Sequence, residues 1–305
     1  LKKITLLCGQ KNENFGEKLT YSQTIEIFKD KDVKIYLPTT LKEAFKAVFF
    51  SDAVIFAGRR MMENIDSLDI IGMALELEKP IFLFGVGLGE IRNKGLKRFS
   101  TILMSPLTEG FLTDYPSTRW ARLWAGNRVK VGADLSHVYL LSHAKRGKNK
   151  FAVFSPRHNG ALRMYEELKW LPAIDARIVV ANKEDSKAAI EVSRHLKTEE
   201  IVIVSESTDV MEVVSNAKFV ISERFHVSLT AESFGVPFIH VGRRAMRYFG
   251  KDFENNFSLP DEVEMALSFS KIGESAPSYY EKFNIRVKER YEEMLKGLDL
   301  FLLKI

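Results

Sequence analysis

The chain alternates two kinds of hydrophobic pattern. Short apolar runs rich in β-branched and aromatic residues occur at 4–8, 33–36, 53–57 and 80–84. Between them, apolar positions recur every three to four residues over about 17–30, 41–50 and 68–77. The first pattern predicts strands buried on both faces, the second predicts amphipathic helices. The short apolar runs 101–104 and 110–112 follow, with a helix near 117–124. The polar hexapeptide 145–150 reads as a linker, after which the alternation restarts. Strands at 151–154, 176–180, 201–204, 219–221 and 238–241 are interleaved with helices at 158–168, 186–195, 208–215 and near 227–234. Helical patterns at 260–269 and about 278–302 close the chain. Continuous apolar strands separated by helices specify a parallel sheet covered on both sides. The predicted fold is therefore α/β: two Rossmann-like domains facing a cleft, closed by C-terminal helices. The boundaries are 1–147 for the N-terminal domain and 148–305 for the C-terminal domain with its terminal helices.

Composition narrows the function classes. The 305 residues suit about two domains, and 46% hydrophobic content suffices for two cores. The net charge of +5 is spread along the chain, and no zinc-finger or RNP-like motif occurs, so a small anionic ligand accounts for it without nucleic acid. The single cysteine, Cys8, excludes a disulfide within the chain. No apolar run approaches the roughly 18–20 residues of a membrane span, and no signal peptide is visible. These features predict a cytoplasmic protein, with room for peripheral membrane contact. The histidines show no ligand spacing, which predicts no metal. Gly85-Val86-Gly87-Leu88-Gly89 departs from G-x-G-x-x-G, so no nucleotide cofactor is expected there.

In open α/β sheets ligands bind beyond the carboxyl ends of strands, so the loops there hold the candidate chemistry. The most informative runs from Ser222 to Pro237, where a strand passes into a helix and Arg224 and His226 lie two residues apart. Backbone amides at a helix start favour anions, a guanidinium grips carboxylate or phosphate through a planar fork, and imidazole titrates near neutral pH. The pair reads as an anion site with a proton carrier; the competing reading of His226 is a buried structural histidine. Arg157, after the strand 151–154, and Arg244 and Arg247, after the strand 238–241, also follow strand ends. Each is equally readable as a solvated arginine. Asn14 and Gly16 lie between the first strand and first helix, where a plain helix cap explains the same letters. Gly87 marks a tight turn or a close backbone approach to a ligand.

These residues resemble the polysaccharide pyruvyl transferase family. Ser222, Arg224, His226 and Gly235-Val236-Pro237 match its S-x-R-x-H and G-V-P signature in order and spacing. Asn14-Phe15-Gly16-Glu17 is similar to its N-x-G-D, Gly85-Val86-Gly87 to its G-x-G, and Ala133-Asp134 to its Ala-Asp pair. The resemblance implies a GT-B-like transferase moving pyruvate from phosphoenolpyruvate to a sugar of a cell-surface glycan precursor. His226 would be the acid/base. Arg224 and Arg157 would hold the carboxylate and phosphate. Three departures stand out. Thr113 replaces the family's arginine, Met246 falls where a lysine is expected, and the triple-glycine turn is reduced to Gly58 followed by Arg59 and Arg60. Arg244 or Arg247 would then substitute for the lysine. Two other readings stay open: a GT-B glycosyltransferase holding a nucleotide sugar through Glu232, and a non-catalytic binding protein on this scaffold.

Overall fold

The computed structural model describes residues 1–8, 14–58, 65–88, 93–145, 147–148, 150–158, 175–203, 207–241, 248, 256–257 and 276–305. The chain divides into two compact units. Unit 1 comprises Leu1–Glu13, Glu17–Tyr139 and Arg286–Ile305; unit 2 comprises Asn14–Gly16 and Leu140–Ile285. The division expected at 147/148 differs from this grouping in three respects, the first being that Asn14–Gly16 fall in unit 2. Gly147, Lys148 and Lys150 are tied to residues 215 and 216 by hydrogen bonds of 2.7–3.1 Å, so the linker belongs to unit 2. The last twenty residues pack with unit 1.

In unit 1 the strands are β1 (Lys2–Leu7), β2 (Val33–Tyr36), β3 (Ala53–Ala57), β4 (Ile81–Val86), β5 (Thr108–Leu112) and β6 (Val129–Val131). They form one parallel sheet in the order β2-β1-β3-β4-β5-β6. The helices are α1 (Phe15–Lys29), α2 (Leu41–Phe50), α3 (Ile65–Glu76), α4 (Asn93–Met104), α5 (Tyr115–Ala125) and the first part of α6 (Leu135–His143), which passes into unit 2 at Leu140. Apolar residues of α2 to α5, such as Val48, Ile71, Phe99 and Ala121, form one core with Val54, Phe56, Ile81 and Leu83 of the sheet. Sequence pattern misled at 101–104. Thr-Ile-Leu-Met there ends α4, and the buried Phe99, Ile102 and Leu103 show the i, i+3, i+4 spacing of a helix face.

In unit 2 the strands are β7 (Phe151–Ser155), β8 (Ala176–Val180), β9 (Ile201–Ile203), β10 (Ala217–Ser222), β11 (Phe238–Val241) and β12 (Asn256–Phe257). Their parallel order, β9-β8-β7-β10-β11-β12, is that of a Rossmann sheet, with the direction of winding reversing between β7 and β10. Its described helices include α7 (Ser186–Leu196), α8 (Ser207–Ser215) and α9 (Phe225–Ser233). The helices expected at 158–168 and 260–269 lie, apart from His158, outside the described residues. The terminal helix α10 (Ala276–Lys304) gives unit 2 Tyr280, stacked on Phe238 at 5.9 Å. It gives unit 1 Phe301, 5.0 Å from Phe82, and Tyr291, which accepts a 2.9 Å hydrogen bond from Gln23. Among the described residues, no helix is long and apolar enough to cross a membrane.

One backbone position in the first sheet admits only glycine. Gly110 of β5 has φ +141°, and a Cβ there would lie 2.1 Å from the carbonyl oxygen of Leu83 on β4. Neither strand has room to yield, because Leu83 is fully buried. Gly110→Ala is expected to destabilise unit 1 by about 3 kcal/mol or more through overpacking and strain. Urea unfolding followed by probes specific to each unit checks this: the transition of unit 1 moves to lower denaturant.

Candidate anion site at the second switch point

The register of unit 2 sets the site. Ser155 of β7 pairs with Ser222 of β10, at the point where the sheet reverses its winding. The chain leaves both strands side by side, so Arg157 and Arg224 each follow by two residues a serine of that pair. The exits are laced together: Glu223 N–H donates to the Ser155 carbonyl at 2.9 Å, and Arg157 N–H donates to Glu223 Oε2 at 2.9 Å. The Arg157 side chain is exposed. Beyond the exit of β10, Arg224 is the N-cap of α9 and provides no side-chain cap. Ser222 Oγ accepts from Arg224 N–H and donates to the Arg224 carbonyl, both at 2.9 Å, which fixes the turn.

A residue that sequence pattern did not single out organises these loops. Asp185, wholly buried, ends the short 3-10 turn Lys183–Asp185 after β8. Arg224 donates Nε to Asp185 Oδ2 at 2.7 Å and Nη2 to Oδ1, a bidentate pair. The same Oδ1 accepts the His158 backbone N–H at 3.0 Å and lies 3.5 Å from His158 Nδ1. One carboxylate therefore anchors the loops after β7 and β10 to the loop after β8. The fork expected to grip substrate has one edge committed to Asp185. The signal for Asp185 was slight: an Asn-Lys-Glu-Asp-Ser string between strand and helix reads as an ordinary cap.

His226 stands in the first turn of α9, half-buried, its ring edge-on to Phe225 with centroids 5.2 Å apart. Gly16 packs against it. A Cβ at Gly16 would lie 1.9 Å from His226 Nδ1 and 2.0 Å from Cε1. Asn14–Gly16 groups with unit 2, and Phe15 N–H donates to the Ala181 carbonyl at 3.4 Å. The structure thus brings together the two sequence motifs that carry Gly16 and His226. Behind α9, the buried His240 of β11 shares a 2.9 Å hydrogen bond with Ser228 Oγ.

The remaining candidates fall elsewhere. Gly87 belongs to unit 1, at the end of β4 beside Thr113, whose Oγ1 would lie 3.3 Å from an added Cβ. The two positions where the family resemblance places a G-x-G and an arginine are therefore neighbours. Asp114 caps α5 through Ser117 N–H at 2.7 Å, and Asp134 accepts from Ser136 N–H at 2.9 Å at the start of α6. Arg244, Arg247 and Met246 lie outside the described residues. Among the described residues, no group of three or more His, Cys, Asp or Glu could hold a metal ion.

A family model for polysaccharide pyruvyl transferase matches residues 5–244, which contain Asn14–Gly16, Gly87, Thr113, Arg157, Arg224 and His226 and end short of Met246 and Arg247. The chain belongs to the polysaccharide pyruvyl transferase family. No curated protein matches the sequence. Among solved structures, the Staphylococcus aureus MnaA–UDP complex is similar with a TM-score of 0.68 at 13% identity, covering 100% of this chain and 98% of that one. UDP-GlcNAc 2-epimerase from Neisseria meningitidis, bound to UDP-GlcNAc, has a TM-score of 0.65 at 13% identity and full coverage of both chains. Anabaena Alr3699/HepE, in complex with UDP and glucose, has a TM-score of 0.60 at 10% identity and full coverage of both. At such identities the likeness shows the fold, a GT-B-like pair of Rossmann-like α/β domains, and nothing finer.

Two substitutions test the construction of this site. Asp185→Ala leaves the Arg224 guanidinium and the His158 amide without their acceptor, and is expected to cost roughly 3–5 kcal/mol. Denaturant unfolding of unit 2 measures it, and an unchanged midpoint would remove Asp185 from the role given to it. Gly16→Ala forces the His226 ring out of place. The His226 ring resonances in a two-dimensional NMR spectrum are expected to shift while those of His240 stay.

Proposed function

We propose that this family member transfers pyruvate from phosphoenolpyruvate to a sugar of a glycan precursor, with His226 as the acid/base. The observation that supports this most is the local assembly of unit 2. A histidine in the first turn of α9 is pinned by the Gly16 backbone, and beside it is an arginine whose plane Asp185 fixes. The donor is a small anion with a carboxylate, a phosphate and an enol carbon that must accept a proton.

In this reading the N-terminal amides and dipole of α9, with Arg224, attract the anionic donor. Because Asp185 neutralises Arg224, exposed Arg157 supplies further charge. Protonated His226 delivers its proton to the methylene carbon, and positive charge develops at the carbon that bears the phosphate. A sugar hydroxyl adds there and its proton returns to the imidazole. A second hydroxyl displaces phosphate, which leaves with that hydroxyl's proton as hydrogen phosphate, and closes a ketal, so one donor and one diol give one ketal and one hydrogen phosphate. Arg244 or Arg247 substitutes for the lysine position taken by Met246, Asn14 and Gly16 contact the substrate beside His226, and Gly87 is assigned to substrate binding on unit 1. Positioning and proton transfer carry the rate.

A second reading, nucleotide-sugar transfer, rests on the sequence likeness of Glu232-Ser233-Phe234-Gly235-Val236-Pro237 to the region, a glutamate before G-x-P, by which glycosyltransferases hold a ribose; the similar folds were solved with UDP or UDP-GlcNAc. Against it, Glu232 is only 1% exposed. The deciding experiment is phosphate release from phosphoenolpyruvate over a panel of sugars. His226→Ala is expected to lower turnover by about 10²–10⁴-fold with the fold intact by circular dichroism. Turnover unaffected by His226→Ala would contradict the assignment, and release of nucleoside diphosphate from a nucleotide sugar would establish the second reading.

A further inference from the structure

Unit 2 holds a second imidazole that His226 and its reaction leave unused. His158 follows Arg157 in the loop after β7, and its side chain is 32% exposed. Its Nδ1 faces two carboxylates, Asp185 Oδ1 at 3.5 Å and Glu184 Oε2 at 3.7 Å. Asp185 Oδ1 also accepts from Arg224 Nη2, so the His158 ring and the Arg224 guanidinium converge on one oxygen. Arg224 is the N-cap of α9, whose first turn carries His226. The fold therefore sets both imidazoles at the same group of strand exits. Their settings differ. The Gly16 backbone confines His226, whereas a wholly buried carboxylate backs His158. Carboxylates facing Nδ1 favour the proton on that nitrogen and leave Nε2 as the basic one, which is how a buried acid orients a general base.

We propose that His158 is a second acid/base of the site and serves the step that closes the ketal, an inference that rests on the pyruvyl transfer reading. That reaction moves two hydroxyl protons. His226 gives one proton to the methylene carbon and regains one from the first hydroxyl. It then stands protonated and cannot accept a proton from the second hydroxyl. Neutral Nε2 of His158 takes that proton as the second hydroxyl oxygen bonds to the ketal carbon. The bond from this carbon to the phosphate oxygen breaks, and its electron pair leaves with the phosphate. The His158 imidazolium passes the proton on, hydrogen phosphate departs, and the ring returns to its neutral form. Asp185 and Glu184, both facing Nδ1, stabilise the transient imidazolium.

First-turnover reactions of the full chain with phosphoenolpyruvate and a panel of sugars test it, with donor consumption and phosphate release followed separately. In wild type the two are expected to run together. His158→Gln is expected to consume donor normally but to release phosphate about 10²-fold more slowly, whereas His226→Ala slows both. Any residue at 158 other than proline keeps the backbone N–H that Asp185 accepts, so the thermal transition of His158→Gln is expected to stay at its wild-type value. Added imidazole is expected to restore phosphate release in His158→Ala, a response that a purely structural histidine would not give. Unchanged phosphate release in His158→Gln overturns the proposal. So does equal slowing of donor consumption and phosphate release with no response of His158→Ala to imidazole. The two readings fail differently: wild type that releases no phosphate with any sugar contradicts pyruvyl transfer and the role of His158 with it, while active wild type beside an unaffected His158→Gln contradicts the role of His158 alone.

Discussion

The carboxylate of Asp185 is the constraint on which the candidate site depends. It is removed from water, and Arg224 grips it bidentately while the His158 amide donates to the same carboxylate. A single lysine in place of Arg224 could not make that fork. The pair joins loops leaving β7, β8 and β10, so three strand ends are held in one arrangement. Losing Arg224 would leave a buried carboxylate without its partner, and losing Asp185 would leave a partly exposed guanidinium without its acceptor. The arginine that looks like a substrate ligand in sequence is thereby also a structural member, and its plane is fixed before any ligand arrives. Pre-organisation of this sort lowers the ordering cost of binding.

The second constraint is steric. The Gly16 backbone occupies the space beside His226 that any side chain would take. A glycine two hundred residues away in sequence therefore confines an imidazole placed by a helix start. The family motif around residues 14–17 gains a physical reason: its glycine is required for close approach, in addition to any cap its asparagine offers. Topology adds the third element, since the reversal of winding between β7 and β10 opens a space at the carboxyl edge into which α9 points its N-terminus.

Much of the fold was legible in the sequence because parallel strands announce themselves as short apolar runs. The runs 33–36, 53–57 and 238–241 and the helix 41–50 match the structure to the residue. The errors share a cause. Thr-Ile-Leu-Met at 101–104 carries no period of its own, and only the burial of Phe99, three places before Ile102, reveals a helix. Val129–Val131 is an edge strand of three residues, too short to register, and α6 went unrecognised behind it. At the site, Arg224 and His226 were visible because strand, turn and helix signals converge on them. Asp185 was invisible because its meaning lies in a contact 39 residues along the chain. The Gly16–His226 contact was likewise non-local, although both partners had been singled out separately.

The central claim is that a carboxylate- and phosphate-bearing anion binds beside His226 in the frame that Asp185 and Arg224 provide. Thermal unfolding in the presence of phosphoenolpyruvate and, separately, of UDP tests it most directly, with wild type beside Arg224→Lys. The account predicts that phosphoenolpyruvate raises the transition of wild type more than UDP does, and that Arg224→Lys abolishes that rise. A larger rise with UDP, or an equal rise with phosphoenolpyruvate in Arg224→Lys, would contradict it.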